Sequence, residues 1–418
     1  MEINIFDYGM NGEGVAKVDG KVILCANALI GEIVEAEIIE DNKNYAVAKA
    51  YQILKTSKMR SEPKCPYFTI CGGCDLQHME YNEQLKFKQK LVQKTIKKIC
   101  NLDVHILETI PSNVIYNYRN KMSFTVNGKL CGLYKAESKN IVDITSCPLA
   151  QDDINIILNI FKGYINNNPN TNIKNIVIRE IENQILVGVV TKAKTDLSIF
   201  IDALKLKFKN IGVYEIINTR KDSVVLSGKI NHIYGIKEIK INNFNLTYYV
   251  DLIGFHQTNI DIQNKIYQKV LNYINLNTII VNGFSGQGLL SAILASKAKQ
   301  VYGIEINKNS HISAEKLKTD NNISNLTNIC GDFNKHINHY IKIADTIILD
   351  PAKKGCGIEV MKKIKGIKNI IYISCNPIAL CKDLNVLKND YIIEEITPFD
   401  MFPNTKNVET LVKLKIKD

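Results

Sequence analysis

From about residue 250 onward, short apolar runs alternate with amphipathic stretches, the rhythm marked by Thr278–Val281, Ser291–Ser296, Val301–Glu305, Thr346–Leu349 and Asn369–Ile373. Strands separated by helices return to a sheet in the same direction. The economical architecture is then α/β, a doubly wound and mostly parallel sheet with helices on both faces. Ligands in such folds bind beyond the carboxyl ends of the strands, so residues that leave strand ends carry the chemical interest. Ser374-Cys375-Asn376-Pro377 leaves the apolar strand Ile370–Ile373, with the proline placed to open a helix. Downstream, Glu409 is a lone acidic residue in an apolar strand. Most intracellular cysteines are inert small hydrophobes. Cys375 differs through its company, which suggests a thiolate nucleophile, a bound cofactor and a base.

The rest of the chain divides by pattern. Residues 1–56 read as short strands punctuated by Gly9, Gly12 and Gly14 and by the Asp19-Gly20 turn, the signature of a small β-barrel. A polar linker, Lys55 to Lys64, leads into residues 57–250, which read as a central α+β domain with strands at 176–179 and 185–189 and a helix near Ile154–Ile165. Residues 251–418 form the expected third domain. The asparagine-rich stretches Asn166–Asn172 and Asn321–Asn328 read as loops.

Charge narrows the partners. The chain of 418 residues carries a formal net charge of +11, which favours a polyanion. Eight basic residues fall within 84–121, against Asp103 and Glu108. On a helix, Lys86, Lys90, Lys94 and Lys97 share one side, while Tyr81, Leu85, Val92, Ile96 and Ile99 share another. That basic side is either a solvated face or a phosphate-contacting one. No apolar run approaches the roughly 18 residues of a membrane span. Eleven cysteines behind an acidic, strand-like start argue for a reducing, cytoplasmic location rather than for disulfides.

Three of those cysteines, Cys65, Cys71 and Cys74, fall within ten residues around the Gly72-Gly73 turn, and Cys147 precedes Pro148 as a plausible fourth. Clustered thiolates repel one another unless a metal neutralises them. Zinc and an iron–sulfur cluster both accept four thiolates, and spacing does not separate them. A second candidate site is the turn Asn282-Gly283-Phe284-Ser285-Gly286-Gln287-Gly288, between a strand and a helix, where glycines allow close approach of a ligand. Glu305, ending the next strand, suits the ribose hydroxyls of an adenosine-type cofactor.

Several separated segments carry a resemblance. Cys65 through His78, Tyr81, Gln84-Leu85 and Cys147-Pro148 resemble the [4Fe–4S] segment of the RNA uracil-5-methyltransferases. Phe255-His256-Gln257-Thr258-Asn259, Asp350-Pro351-Ala352-Lys353-Lys354-Gly355, Ser374–Pro377 and Asp400-Met401-Phe402-Pro403 with Val408-Glu409-Thr410 resemble that family's remaining motifs, in the same order. Gly12–Ala16, Gly20–Val22 and Ala28 with Gly31-Glu32 resemble the TRAM domain, an OB-like RNA-binding module. Tyr118-Arg119-Asn120-Lys121 is similar to a further family segment, suited to RNA backbone contact or to a structural ion pair. The chain departs from the family's pattern at Asn282 and Ser285, where aspartate and cysteine are usual, and at Lys353, where arginine is. The first loses attraction for a cofactor ammonium; the last loses a planar fork.

The resemblance implies a Rossmann-like S-adenosylmethionine-dependent domain preceded by the TRAM barrel and a central domain holding a [4Fe–4S] cluster on Cys65, Cys71, Cys74 and Cys147. It implies Cys375 as nucleophile toward uracil C6, Glu409 as base, and Gln257, Phe284, Gly286, Gly288, Glu305, Asp332 and Asp350 as cofactor or ring-edge contacts. Barrel and cluster together favour 23S ribosomal RNA as substrate, with the T-loop uridine of tRNA as the alternative. A non-catalytic RNA-binding protein and an amino methyltransferase are rival readings, the latter opposed by Cys375 and by the lack of an aromatic residue after Pro351. No obligate protein partner is evident, and a monomer is the expectation.

Overall fold

The computed structural model describes residues 1–168 and 172–417. Its C-terminal sheet has seven strands in the order Leu326–Cys330, Gln300–Glu305, Ile279–Gly283, Thr346–Leu349, Asn369–Ser374, Glu409–Ile416 and Tyr391–Phe399. The first five run parallel, and the last two form an antiparallel hairpin against the fifth. The winding reverses between Ile279–Gly283 and Thr346–Leu349, so the glycine turn that follows the first of these strands opens at the switch point.

Period-two alternation assigns the strand residues to two apolar layers. Ile280, Ile348, Ile371 and Ile373 face one layer, beneath the helices Ile260–Tyr273 and Leu289–Ala295. Val281, Ile347, Leu349, Ile370 and Tyr372 face the other, beneath Phe333–Tyr340, Ile358–Lys363 and Pro377–Leu387. The lysine-rich segment forms a helix, Tyr81–Cys100, and buries Val92, Ile96 and Cys100 in this second layer. Lys88, which shares the apolar side with Leu85 and Val92, is fully buried and pairs with Asp400, while Lys94 reaches Asp7.

The N-terminal sheet has the order Glu2–Asn4, Ile33–Asp41, Tyr45–Lys55, Lys21–Ala26, Gly14–Val18, Asp7–Tyr8. Its two edge strands are consecutive in the chain, so the sheet curls on itself around Ile3, Ile5, Ala16, Ile23, Cys25 and Val34. The central seven-stranded sheet runs from Lys229–Gly235 to Ile141–Asp143 and packs against the helices Asp152–Asn167 and Ser198–Lys205.

Two loop expectations need correction. Helix Asp152–Asn167 takes in Asn166 and Asn167, and 169–171 lie outside the described residues. Strand Leu326–Cys330 takes in the end of the second asparagine-rich stretch, because Leu326 is buried and pairs with Val301.

Candidate active site

Strand register builds the centre of the site. The ladder's last pair is Ser374 with Thr410, and the residues that flank it, Cys375 and Glu409, lie near enough for the Glu409 carboxyl to act on the Cys375 thiol. Cys375 leaves its strand at the helix Pro377–Leu387, whose N-cap Asn376 accepts from the Ile378 amide (3.1 Å) and donates to the Lys353 carbonyl (3.0 Å). That second bond ties the cysteine turn to the Asp350–Gly355 loop. Asp383 holds the same loop from behind, accepting from the Cys356 amide (2.7 Å), the Gly357 amide (3.1 Å) and the Tyr372 hydroxyl (2.6 Å).

Three acidic groups therefore converge, and each is held toward its neutral form. Burial pushes the Asp350 carboxyl up to about 7. Glu409, 4% exposed, is raised well above the carboxylate range by burial and by Asp350. The Cys375 thiol is pushed up to about 11 by burial, Glu409 and Asp350, with Lys353 working in the other direction. Sequence reasoning passed over Tyr267 on the helix Ile260–Tyr273, whose hydroxyl is raised by burial and by the fields of Asp350 and Glu409. A tyrosine at helical spacing reads as core, which is why it gave no signal.

Gln257 lies in the loop before that helix, and its carbonyl accepts from Asn120 Nδ2 (2.9 Å). Neighbouring Phe255 is 68% exposed, and Asn259 caps the helix. At the switch point, Phe284 (φ 60°), Gly286 (φ 55°) and Gly288 (φ 82°) all take left-handed backbone. A Cβ on Gly288 would strike Ala314, whereas one on Gly286 would meet open space. Glu305 braces this turn: Oε2 accepts from the Gly286 amide (2.9 Å) and Oε1 from the Asn307 amide (2.6 Å). Each oxygen keeps a lone pair free for a ribose hydroxyl. Asp332 caps the helix Phe333–Tyr340 through the Asn334 amide (2.9 Å). Asn282 donates to Ser291 Oγ (2.8 Å) and leaves its own Oδ1 buried without a partner. An orphaned acceptor beneath an open glycine cradle suits a cofactor that brings a donor.

Away from this centre, Cys65, Cys71, Cys74 and Cys147 line one cavity with Gln77, Arg119 and Ser146. Among the described residues no three His, Cys, Asp or Glu side chains gather around a single ion position. The cysteines instead surround the cavity. Arg119 is directed at them: its field favours the thiolates of Cys71 and Cys74, and its Nε is buried without a partner. Burial raises Cys74 to about 12.

Comparison with known proteins agrees with this geometry. The profile of the tRNA (Uracil-5-)-methyltransferase family matches residues 80–417, and that of the TRAM domain residues 1–51. A protein of Clostridium tetani named "Uncharacterized RNA methyltransferase" is 33% identical over 98% of this chain and 94% of its own. One of Caldanaerobacter subterraneus with the same description is 32% identical over 98% and 96%. The crystal structure of Pyrococcus abyssi tRNA (uracil-54, C5)-methyltransferase in complex with S-adenosyl-L-homocysteine is similar over 99% of this chain and 100% of that one, with a TM-score of 0.80 and 26% identity. The chain belongs to the tRNA (uracil-5-)-methyltransferase family and is an S-adenosylmethionine-dependent RNA methyltransferase.

Proposed function

We propose that the protein methylates C5 of a uridine in 23S ribosomal RNA, with Cys375 as nucleophile and Glu409 as base. The observation that carries this reading is the convergence of Cys375, Glu409 and Asp350 just past the Ser374–Thr410 pair, where both carboxyls act on the thiol. Uracil C5 is a weak nucleophile. Addition of the Cys375 sulfur to C6 turns the ring into an enolate and moves electron density to C5. Phe284, Gly286, Gly288, Glu305, Asp332 and the orphaned Oδ1 of Asn282 would hold S-adenosylmethionine, which would supply an electrophilic methyl group to C5 as its sulfonium–methyl bond breaks. Glu409 then takes the C5 proton, the C–H electron pair forms the C5–C6 double bond, and the Cys375 thiolate leaves. Asp350, held largely protonated below pH 7, is suited to donate to a ring-edge oxygen, and Gln257 is assigned to a further cofactor or ring-edge contact. The target base must leave its stack to enter, at a cost on the order of a few kcal/mol.

In the same reading Cys65, Cys71, Cys74 and Cys147 would hold a [4Fe–4S] cluster in the cavity they line. Four thiolates around a cluster carry net negative charge, which answers the buried guanidinium of Arg119. A second substrate reading, the T-loop uridine of tRNA, is favoured by the full-length likeness to the Pyrococcus abyssi enzyme. Mapping of 5-methyluridine in ribosomal RNA and tRNA from a deletion strain tests both. Loss of the mark from 23S RNA supports the first reading, and loss from tRNA alone overturns it in favour of the second.

A further inference from the structure

Glu409 begins its strand after nine residues, 400–408, that connect it to Phe399. Hairpin connections usually span two to five residues, and a longer one wanders unless it is packed. This one is packed: Asp400, Met401, Pro403, Asn404, Thr405 and Val408 are buried. Its buried backbone groups must then find partners elsewhere.

Asn404 is where they converge. It takes left-handed backbone (φ 68°) and is 1% exposed. Its amide donates to Gln84 Oε1 (2.9 Å) while Gln84 Nε2 donates back to its Oδ1 (3.2 Å). Its carbonyl accepts from the amides of Asp75 (3.2 Å) and Leu76 (3.0 Å), the two residues directly after Cys74. Its Nδ2 donates to the Ile115 carbonyl (2.7 Å). Two residues on, the Lys406 amide donates to Asp75 Oδ2 (3.1 Å). The Tyr118 hydroxyl and Asn259 Nδ2 secure the Pro403 and Met401 carbonyls (3.1 and 3.3 Å). The cysteine-bearing loop thus grips the segment that presents Glu409, five residues before it. Because the donors are fixed in pairs, the grip sets position as well as burial.

We propose that Asn404 and Gln84, docked on Asp75 and Leu76, are positioning residues that set the Glu409 carboxylate for removal of the C5 proton. The proposal rests on the assignment of Glu409 as base. A shift of about 1 Å in a reacting group costs on the order of 10²-fold. A misplaced base stalls the reaction after methyl transfer, with the S–C6 bond formed and the C5–H bond intact.

The test uses the full-length protein, ordinary uridine-containing RNA and a cofactor labelled in its methyl group. Asn404→Gly keeps the backbone conformation and removes the side chain; Gln84→Met removes the amide and leaves the Asn404 carbonyl on Asp75 and Leu76. Both should lower kcat on the order of 10²-fold with KM for RNA unchanged, and should accumulate a methyl-labelled covalent protein–RNA adduct, as Glu409→Gln should. Simple loss of stability slows every step and leaves no adduct. If Glu409→Gln accumulates the adduct and neither variant does, the positioning role is overturned. If Glu409→Gln turns over without stalling, the base assignment itself fails and takes the proposal with it. Should Asn404→Gly not fold, Gln84→Met decides.

Discussion

Ser374 pairs with Thr410 at the end of the antiparallel ladder, and the residues that flank this pair, Cys375 and Glu409, lie close enough for the Glu409 carboxyl to raise the Cys375 thiol. A slip of one residue would turn one of the two away from the pocket. Cys375→Ala should abolish turnover and abolish the adduct with 5-fluorouridine RNA. Glu409→Gln should lower turnover by about 10²–10⁴-fold while leaving that adduct intact. Denaturing gels of the RNA-linked protein distinguish the two outcomes.

Burial strains the site electrostatically. A carboxyl ordinarily near 4 titrates at about 7 in Asp350, so between these values the folded protein binds more protons than the unfolded chain. Its stability therefore falls as pH rises through that window. Asp350→Asn removes the penalty: the melting temperature should exceed that of the wild type at pH 8, and the gap should close toward pH 4. A gap independent of pH would contradict the assignment.

Cofactor charge should relieve the same strain. A sulfonium beside Cys375, Asp350 and Glu409 lowers all three toward their ordinary values, and protons leave as it binds. Calorimetry in buffers of differing ionisation enthalpy should register proton release with S-adenosylmethionine and much less with the uncharged sulfur of S-adenosylhomocysteine. Equal release from both would contradict this account.

Lys88 and Asp400 are both fully buried and paired, and Lys88 also donates to the Phe402 carbonyl (3.0 Å). Removing one partner of such a pair leaves a buried charge and costs about 3–5 kcal/mol. Lys88→Met should lower stability by that order, and Lys88→Met with Asp400→Asn should recover much of it. Urea unfolding of the single and double variants measures the difference.

At the cysteine cavity, protein purified without oxygen should be brown and contain iron and sulfide. Cys65→Ser, Cys71→Ser, Cys74→Ser and Cys147→Ser should each bleach it. A colourless wild type containing zinc would refute the cluster.

Much of the fold was legible because its signals are local. The strand and helix rhythm after residue 250, the proline that opens the helix after Cys375 and the glycines around Phe284 each follow from backbone sterics and periodicity. Periodicity showed its limit at Lys88: three residues after Leu85 and four before Val92 it falls on the apolar side of its helix, and only Asp400, more than three hundred residues away, explains how its charge is buried there. Tyr267 was equally silent, since a tyrosine on an apolar helix face looks the same whether it meets leucine or a carboxyl.

The sequence alone determined which chemistries the chain carries: a thiol at a strand end, a carboxyl in an apolar strand, a glycine cradle with an acidic brace, and four cysteines. Local rules dictate these, because residue type and neighbouring backbone suffice. Tertiary structure decided which of them meet. The ladder ending at Ser374–Thr410 brings Cys375 and Glu409 together, and Asn404 ties the loop before Glu409 to the residues after Cys74. Those couplings join positions far apart in the chain, and buried polar groups that have lost water must take whatever partners the fold brings to them.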